Sequence, residues 1–157
     1  MQTQGDYRDW NELGPTDERA MQRLGSLCAM EASASRSYEN ALTVPHLWRY
    51  RHALRAIRDS HEERRRLLED RLRLAGGEAP TVLKISDSLV SFLEDVGVAL
   101  GSSTALGAFD RGETHCMKEY RKALDRFDPA TRDFVEREIL PAQISALTLI
   151  RALREDN

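Results

Sequence analysis

Glu31 and Glu113 each stand in the middle of an apolar stripe, where a carboxylate is costly unless something pairs with it or a metal binds it. Their surroundings match. Glu31–Leu42 reads EASASRSYENAL and Glu113–Leu124 reads ETHCMKEYRKAL. In both, Tyr is the seventh position after Glu, and Ala-Leu follows Tyr at the third and fourth. Such a spacing is close to two helical turns, so each Glu shares a face with its Tyr, Tyr38 or Tyr120. The offset that carries Glu31 to Glu113 also pairs Leu24 with Leu106, Gly25 with Gly107, Arg55 with Arg137 and Ile57 with Ile139. Two carboxylates at equivalent points of a duplicated unit should meet near its axis. They then need a cation, a metal or strong hydrogen-bond donors, and phenol hydroxyls are natural donors.

The elements that would carry these groups are helical throughout. Residues 1–15, with Gly5, Gly14 and Pro15, read as a loose leader in which Trp10 is free to pin the leader to the body. Thr16 is a good N-cap for a first helix with a stripe at Met21, Leu24, Leu27/Cys28, Glu31, Tyr38 and Leu42. Thr43-Val-Pro45 breaks it, and Pro45 suits the first turn of a second helix running to about Leu74 and stopped by Gly76-Gly77. Its stripe is Leu47, Leu54, Ile57, His61, Leu68 and Leu72. Residues 75–102 form a long crossover with a short extra helix at Ser86–Leu100. Ser102 or Ser103 caps a third helix, and Asp128-Pro129 opens a fourth, kinked at Pro141. The chain thus reads as a hairpin (16–74), a crossover (75–102) and a second hairpin (103–154), one domain over 16–157. The fold class is all-α, a four-helix bundle with one long crossover, the ferritin-like arrangement.

The layout, and the RGETHCMKEYRKAL…IRALRE pattern of the second half, resemble a bacterial domain-of-unknown-function family of ferritin-like four-helix bundles. The resemblance covers about residues 20–155 and is most specific in Arg111–Leu124. It implies a di-iron or di-manganese centre, with one Glu from each of the first and third helices and Glu-x-x-His from each of the other two. Glu31 and Glu113 match the first pair. The family spacing from one helix's ligand to the next then lands on Arg64 and Leu67 in one half, and on Ala146 and Leu149 in the other. No Glu-x-x-His occurs in the chain, and the stripe position equivalent to His61 is Gln143.

The expectation is therefore that the standard ligand set is lost, with no cofactor. Arg64 takes the place of the metal charge, and Glu31, Glu113, Arg64, His61, Tyr38 and Tyr120 form a buried polar cluster. The alternative is a reduced iron or manganese centre on Glu31, Glu113 and His61; His115, two positions beyond Glu113, points elsewhere around its helix. In the family topology Cys28 and Cys116 fall at one level, about a turn from the glutamates. They are either two small apolar fillers or a redox-sensitive pair.

Composition narrows the function classes. The formal net charge is −3, with Arg and Glu interspersed, which excludes the basic stripe of a nucleic-acid binder. Arg64-Arg65-Arg66 points in three directions and reads mainly as a solvated face. No apolar run is long enough for a membrane span, and two isolated cysteines fit a reduced, cytoplasmic protein. No P-loop, dinucleotide fingerprint or nucleophile elbow is present. The expected role is non-catalytic, through a protein partner or self-association, for example in stress response. Trp48, Tyr50 and Leu67 lie outside the central stripe of the second helix and point to a homodimer.

Overall fold

The computed structural model describes residues 18–78 and 101–157. The leader, the Thr16 cap and the Ser86–Leu100 helix lie outside the described residues. Four helices account for nearly all of the rest, and among the described residues there is no strand. Helix α1 spans Glu18–Ala41, α2 spans Arg51–Leu74 and α3 spans Ser102–Leu124. The fourth helix, α4, runs in three joined stretches, Pro129–Phe134, a π turn at Val135–Ile139, and Leu140–Glu155.

The sequence suggests a second helix that begins at Pro45, but Pro45–Tyr50 forms a 3-10 helix instead. Pro45 fixes its own φ and offers no N–H, and Leu47 N donates to Val44 O at 3.0 Å to close the tight turn. With three residues per turn, Leu47 and Tyr50 line up on the inner side, and both are buried. The far end of α2 stops as its glycines foretell. Gly76 takes φ +84°, Gly76 N donates to Arg73 O and Gly77 N donates to Leu72 O, the paired reversal that closes a helix on a left-handed residue.

Asp128 caps α4 as expected, its Oδ1 accepting from Ala130 N and Thr131 N. Neither Ser102 nor Ser103 caps α3. The cap residue is Gly101, without a side-chain bond, and Ser102 Oγ lies 2.7 Å from Asn157 Oδ1. Tyr50 hydroxyl donates to the same oxygen at 2.5 Å, so one end of the bundle is tied by a single side chain. At Pro141 the missing N–H and the ring would disturb the carbonyl four positions back, at Arg137. That carbonyl sits within the π turn, where Leu140 N reaches back to Val135 O. The widened turn absorbs the proline inside a continuous helix.

Side-chain pairings set the helix directions. Glu39 meets Arg58 and Glu31 meets His61, so α1 and α2 run antiparallel. Asp110 meets Arg154 and Glu113 meets Gln143, so α3 and α4 do too. Tyr38 reaches Glu113 and Tyr120 reaches Glu31, so α1 and α3 are antiparallel. Consequently α2 and α3 point the same way, and the end of α2 and the start of α3 lie at opposite ends of the bundle.

Apolar side chains form two clusters. One gathers Tyr38, Leu47, Leu54, Ile57, Leu106, Phe109 and Ile150; the other gathers Leu24, Leu27, Leu68, Leu72, Tyr120, Val135 and Ile139. Each fully buried Leu or Ile contributes roughly 1.5–3 kcal/mol. The duplication shows directly in burial. Leu24, Leu27, Cys28, Glu31, Ala34, Tyr38 and Ala41 of α1 are buried, and so are their counterparts Leu106, Phe109, Asp110, Glu113, Cys116, Tyr120 and Ala123 of α3. Between the two clusters lies a layer that is not apolar.

Candidate functional site: a buried ion cluster

That layer is built by Glu31 and Tyr38 from α1, His61 and Arg64 from α2, Glu113 and Tyr120 from α3, and Gln143 from α4. Glu31 and His61 are 0% exposed and Arg64 is 1% exposed. Helical periodicity puts each group there: Glu31 and Tyr38 are seven apart, as are Glu113 and Tyr120, and His61 and Arg64 are three apart on one face of α2.

The tyrosines are exchanged. Tyr38 hydroxyl donates to Glu113 Oε1 at 2.6 Å, and Tyr120 hydroxyl donates to Glu31 Oε1. Each helix of the α1–α3 pair thus holds the other's carboxylate. His61 bridges the two: Nδ1 lies 2.7 Å from Glu31 Oε2 and Nε2 lies 2.9 Å from Glu113 Oε1. Carboxylate oxygens on both sides of the ring favour its protonated form, in which both nitrogens donate. Its face stacks on Tyr38, with ring centroids 5.3 Å apart.

Arg64 Nε donates to Glu31 Oε1 at 3.1 Å, and Nη1 is held by Ser60 Oγ at 2.7 Å, one turn earlier on α2. Arg64 Nη2 lies 2.7 Å from His61 Nδ1. Glu31 Oε2 favours a proton on Nδ1, whereas the Arg64 guanidinium, which can only donate, favours a bare Nδ1, so the two partners oppose each other at that nitrogen. On the other side Gln143 Nε2 donates to Glu113 Oε2 at 2.8 Å and to Glu113 O at 3.1 Å. Its Oε1 is buried without a partner among the described residues. Every carboxylate oxygen of the pair therefore has a polar partner within the layer, with Arg64 and His61 beside the two glutamates.

The electrostatics follow from this. Burial alone would raise Glu31, but the Arg64 guanidinium, then His61 and the hydrogen bonds, outweigh it and hold its carboxyl at about 2. Glu113 is lowered against the same burial by His61, Tyr38 and Arg64. For His61, burial opposes the charged form, yet Glu31 and Glu113 together raise it above its ordinary value. Burial and the facing carboxylates push Tyr38 and Tyr120 well up, so both remain phenol donors.

The remaining sequence candidates divide. Cys28 and Cys116 are both free and buried. Burial, then nearby carboxylates, pushes Cys28 up to about 12 and Cys116 well above its usual value. Exchange chemistry uses the thiolate, so this environment favours apolar packing. His115 is exposed, pointing away from the cluster as expected. Arg65 pairs with Glu62 and Glu69 and Arg66 with Glu63, leaving Arg64 as the one inward member of its triplet. Of the residues expected to serve a dimer, Tyr50 is buried and Leu67 is partly buried against the second apolar cluster. Each faces inward because the 3-10 turn and the α2 stripe carry it there; Trp48 alone stays exposed.

Sequence reasoning left Gln143 and Ser60 out of the cluster. Gln143 had a signal, since it stands in the second half where His61 stands in the first. Ser60, one turn before Arg64, had none.

The residues present do not fit a di-iron ligand set. Where that set needs carboxylates and imidazoles on α2 and α4, the chain carries Arg64 and Leu67, and Ala146 and Leu149. Among the described residues no group of three His, Cys, Asp or Glu side chains is arranged to hold a metal ion. A scan of protein-family models and searches of curated proteins and of solved structures return no match to this chain. No described helix is long and apolar enough to cross a membrane.

Proposed function

We propose that this chain is a ferritin-like bundle whose metal centre has been replaced by an internal ion cluster, and that it acts by interaction or self-association rather than by catalysis at its centre. The helix directions support the fold reading: two antiparallel hairpins, with the second and third helices pointing the same way and a long crossover between them. The observation that carries the functional reading is the pair of cations on α2. Arg64 and His61 stand beside the two glutamates and occupy their oxygens, with Tyr38, Tyr120 and Gln143 taking the rest. A metal would have to displace a buried guanidinium and a histidine that already occupy the carboxylate oxygens.

Elemental analysis of the purified protein tests this, before and after exposure to ferrous iron or manganese in the absence of oxygen. The expected result is less than a tenth of an equivalent of either metal, unchanged in Glu31→Gln and Glu113→Gln. A stoichiometric metal that disappears in those variants overturns the reading in favour of a metal-binding or redox protein with a reduced carboxylate centre. Sedimentation over a range of concentrations separates a homodimer from a monomer that recruits another protein.

A further inference from the structure

Resting on the reading of this chain as an interaction protein, we propose that the end of the bundle formed by the 3-10 helix and the first turns of α2 is a docking surface for an acidic segment of another protein. Residues 44–58 hold four arginines, two histidines and no acidic residue, in a chain whose formal net charge is −3. His46, Trp48, Arg49, Arg51, His52 and Arg55 are all exposed, and Trp48 is 52% exposed. Arg58 closes the run with the first carboxylates, Glu39 and Asp59. No ion pair is formed by Arg49, Arg51 or Arg55 with a described residue, and the Arg49 guanidinium lies 4.7 Å from the Tyr50 ring centroid.

The spacing makes a surface of these residues. Arg51, His52 and Arg55 share an outward side of α2, and the three-residue turn of the 3-10 helix sets Trp48 in line with Arg51. Pro45 and the inward anchors Leu47 and Tyr50 hold the turn that presents Trp48. This placement works against the helix itself. The first turn of α2 contains no acidic residue, and Arg51 stands at the positive end of the peptide dipoles. Cations put where the fold disfavours them, with no ion-pair partner among the described residues, make this face complementary to a negatively charged partner.

The composition selects the kind of anion. Binding hot spots favour Trp and Arg, and interface cores are depleted in Lys, Glu and Asp; residues 44–58 contain none of those three. Guanidinium groups bind carboxylates bidentately. A long phosphate polymer would leave this small patch and meet a surface where acids outnumber bases, 26 to 23 over the chain. A short acidic segment with an apolar residue to cover Trp48 meets neither obstacle.

The test uses the full chain, labelled with 15N, and a 15-residue peptide of Asp and Glu around one Leu and one Phe. Its controls are the same peptide with Asn and Gln in place of the acids, and a 12-nucleotide single-stranded oligothymidylate. The acidic peptide is expected to shift the Trp48 indole signal and the amides of residues 46–55, while the neutral peptide does not. Arg51→Glu/Arg55→Glu should weaken binding by about tenfold or more at low salt. Its unfolding midpoint should be unchanged or raised, since Glu suits the start of a helix. Three results would overturn the proposal: no shift with the acidic peptide, tighter binding of the oligonucleotide to the same residues, or self-association abolished by Trp48→Ala, which would make a second copy the occupant. All are read at the surface, so the metal content that tests the bundle centre stays an independent outcome.

Discussion

The two halves of the duplicated hairpin offer the same glutamate and the same tyrosine, then surround them differently. In the first half α2 sets His61 and Arg64 against Glu31. In the second, α4 presents Gln143 and Ala146 at the matching positions, so Glu113 receives an amide where Glu31 receives an imidazole, and nothing stands in for the guanidinium. The backbone repeats, but the charge does not. A buried cluster must balance its charge as a whole, and His61 reaches both carboxylates, so one helix can supply every cation. The first half is therefore the charged half, and the second depends on it.

The largest test of that asymmetry is Arg64→Met. It leaves a buried carboxylate short of its cation, a loss of about 3–5 kcal/mol, measured by urea unfolding. Ala146, its counterpart, should tolerate Ser within about 1–2 kcal/mol. Replacing both partners, as Glu31→Gln/Arg64→Met, should recover part of the Arg64→Met loss, because no uncompensated charge pair is then left. A double variant no more stable than Arg64→Met would show that Arg64 acts by packing instead.

Next comes the comparison of Glu31→Gln with Glu113→Gln. The first removes the carboxylate of Arg64 and one of the two that His61 reaches, whereas the second removes only one of the two that His61 reaches, since Gln143 can pair with another amide. Glu31→Gln should be the more destabilising by roughly 1–2 kcal/mol; equal losses would mean that His61 shares its charge evenly and that Arg64 adds little.

The dependence on pH gives a third test. His61 has a raised value in the folded state, so its stabilisation is complete below its ordinary value of 6.5 and fades as pH climbs through the folded value. Glu31, held at about 2 against an ordinary 4.5, contributes above 4.5 and loses that contribution as pH falls toward 2. Unfolding free energy should therefore fall on both flanks, and His61→Gln should remove the alkaline fall while leaving the acidic one. Tyr38→Phe and Tyr120→Phe should each cost about 1.5–3 kcal/mol. The two should be nearly equal, because the exchanged hydroxyls are the part of the site that the duplication kept symmetric.

Much of this was legible because helices advertise their inner faces. The stripe of α2, the cap at Asp128 and the stop at Gly76-Gly77 are local signals, and local physics decides them. Glu31 and Glu113 stand out as charges in apolar surroundings, and counting along the second helix reaches Arg64. The exchange of tyrosines was not legible, since it depends on the relative height of α1 and α3, which no local signal carries. Nor was the 3-10 start before α2, because a proline in a first turn suits either helix. An α-helical count puts Tyr50 outward; the tighter turn moves it inside. Ser102 has the look of a cap, yet it is drawn to Asn157, a residue at the far end of the chain.

The π turn of α4 also keeps the two halves in reading frame. Buried Tyr50 and Leu54 correspond to buried Thr131 and Val135 at one constant offset. Buried Ile57, His61, Arg64 and Leu68 correspond to Ile139, Gln143, Ala146 and Ile150 at an offset one position longer. The step falls inside Val135–Ile139. The π turn thus holds one residue more than the matching stretch of α2, taken up as a bulge so that neither flank is rotated by the roughly 100° that one residue brings. Deleting a single residue there should erase the bulge and return α4 to the phase of α2.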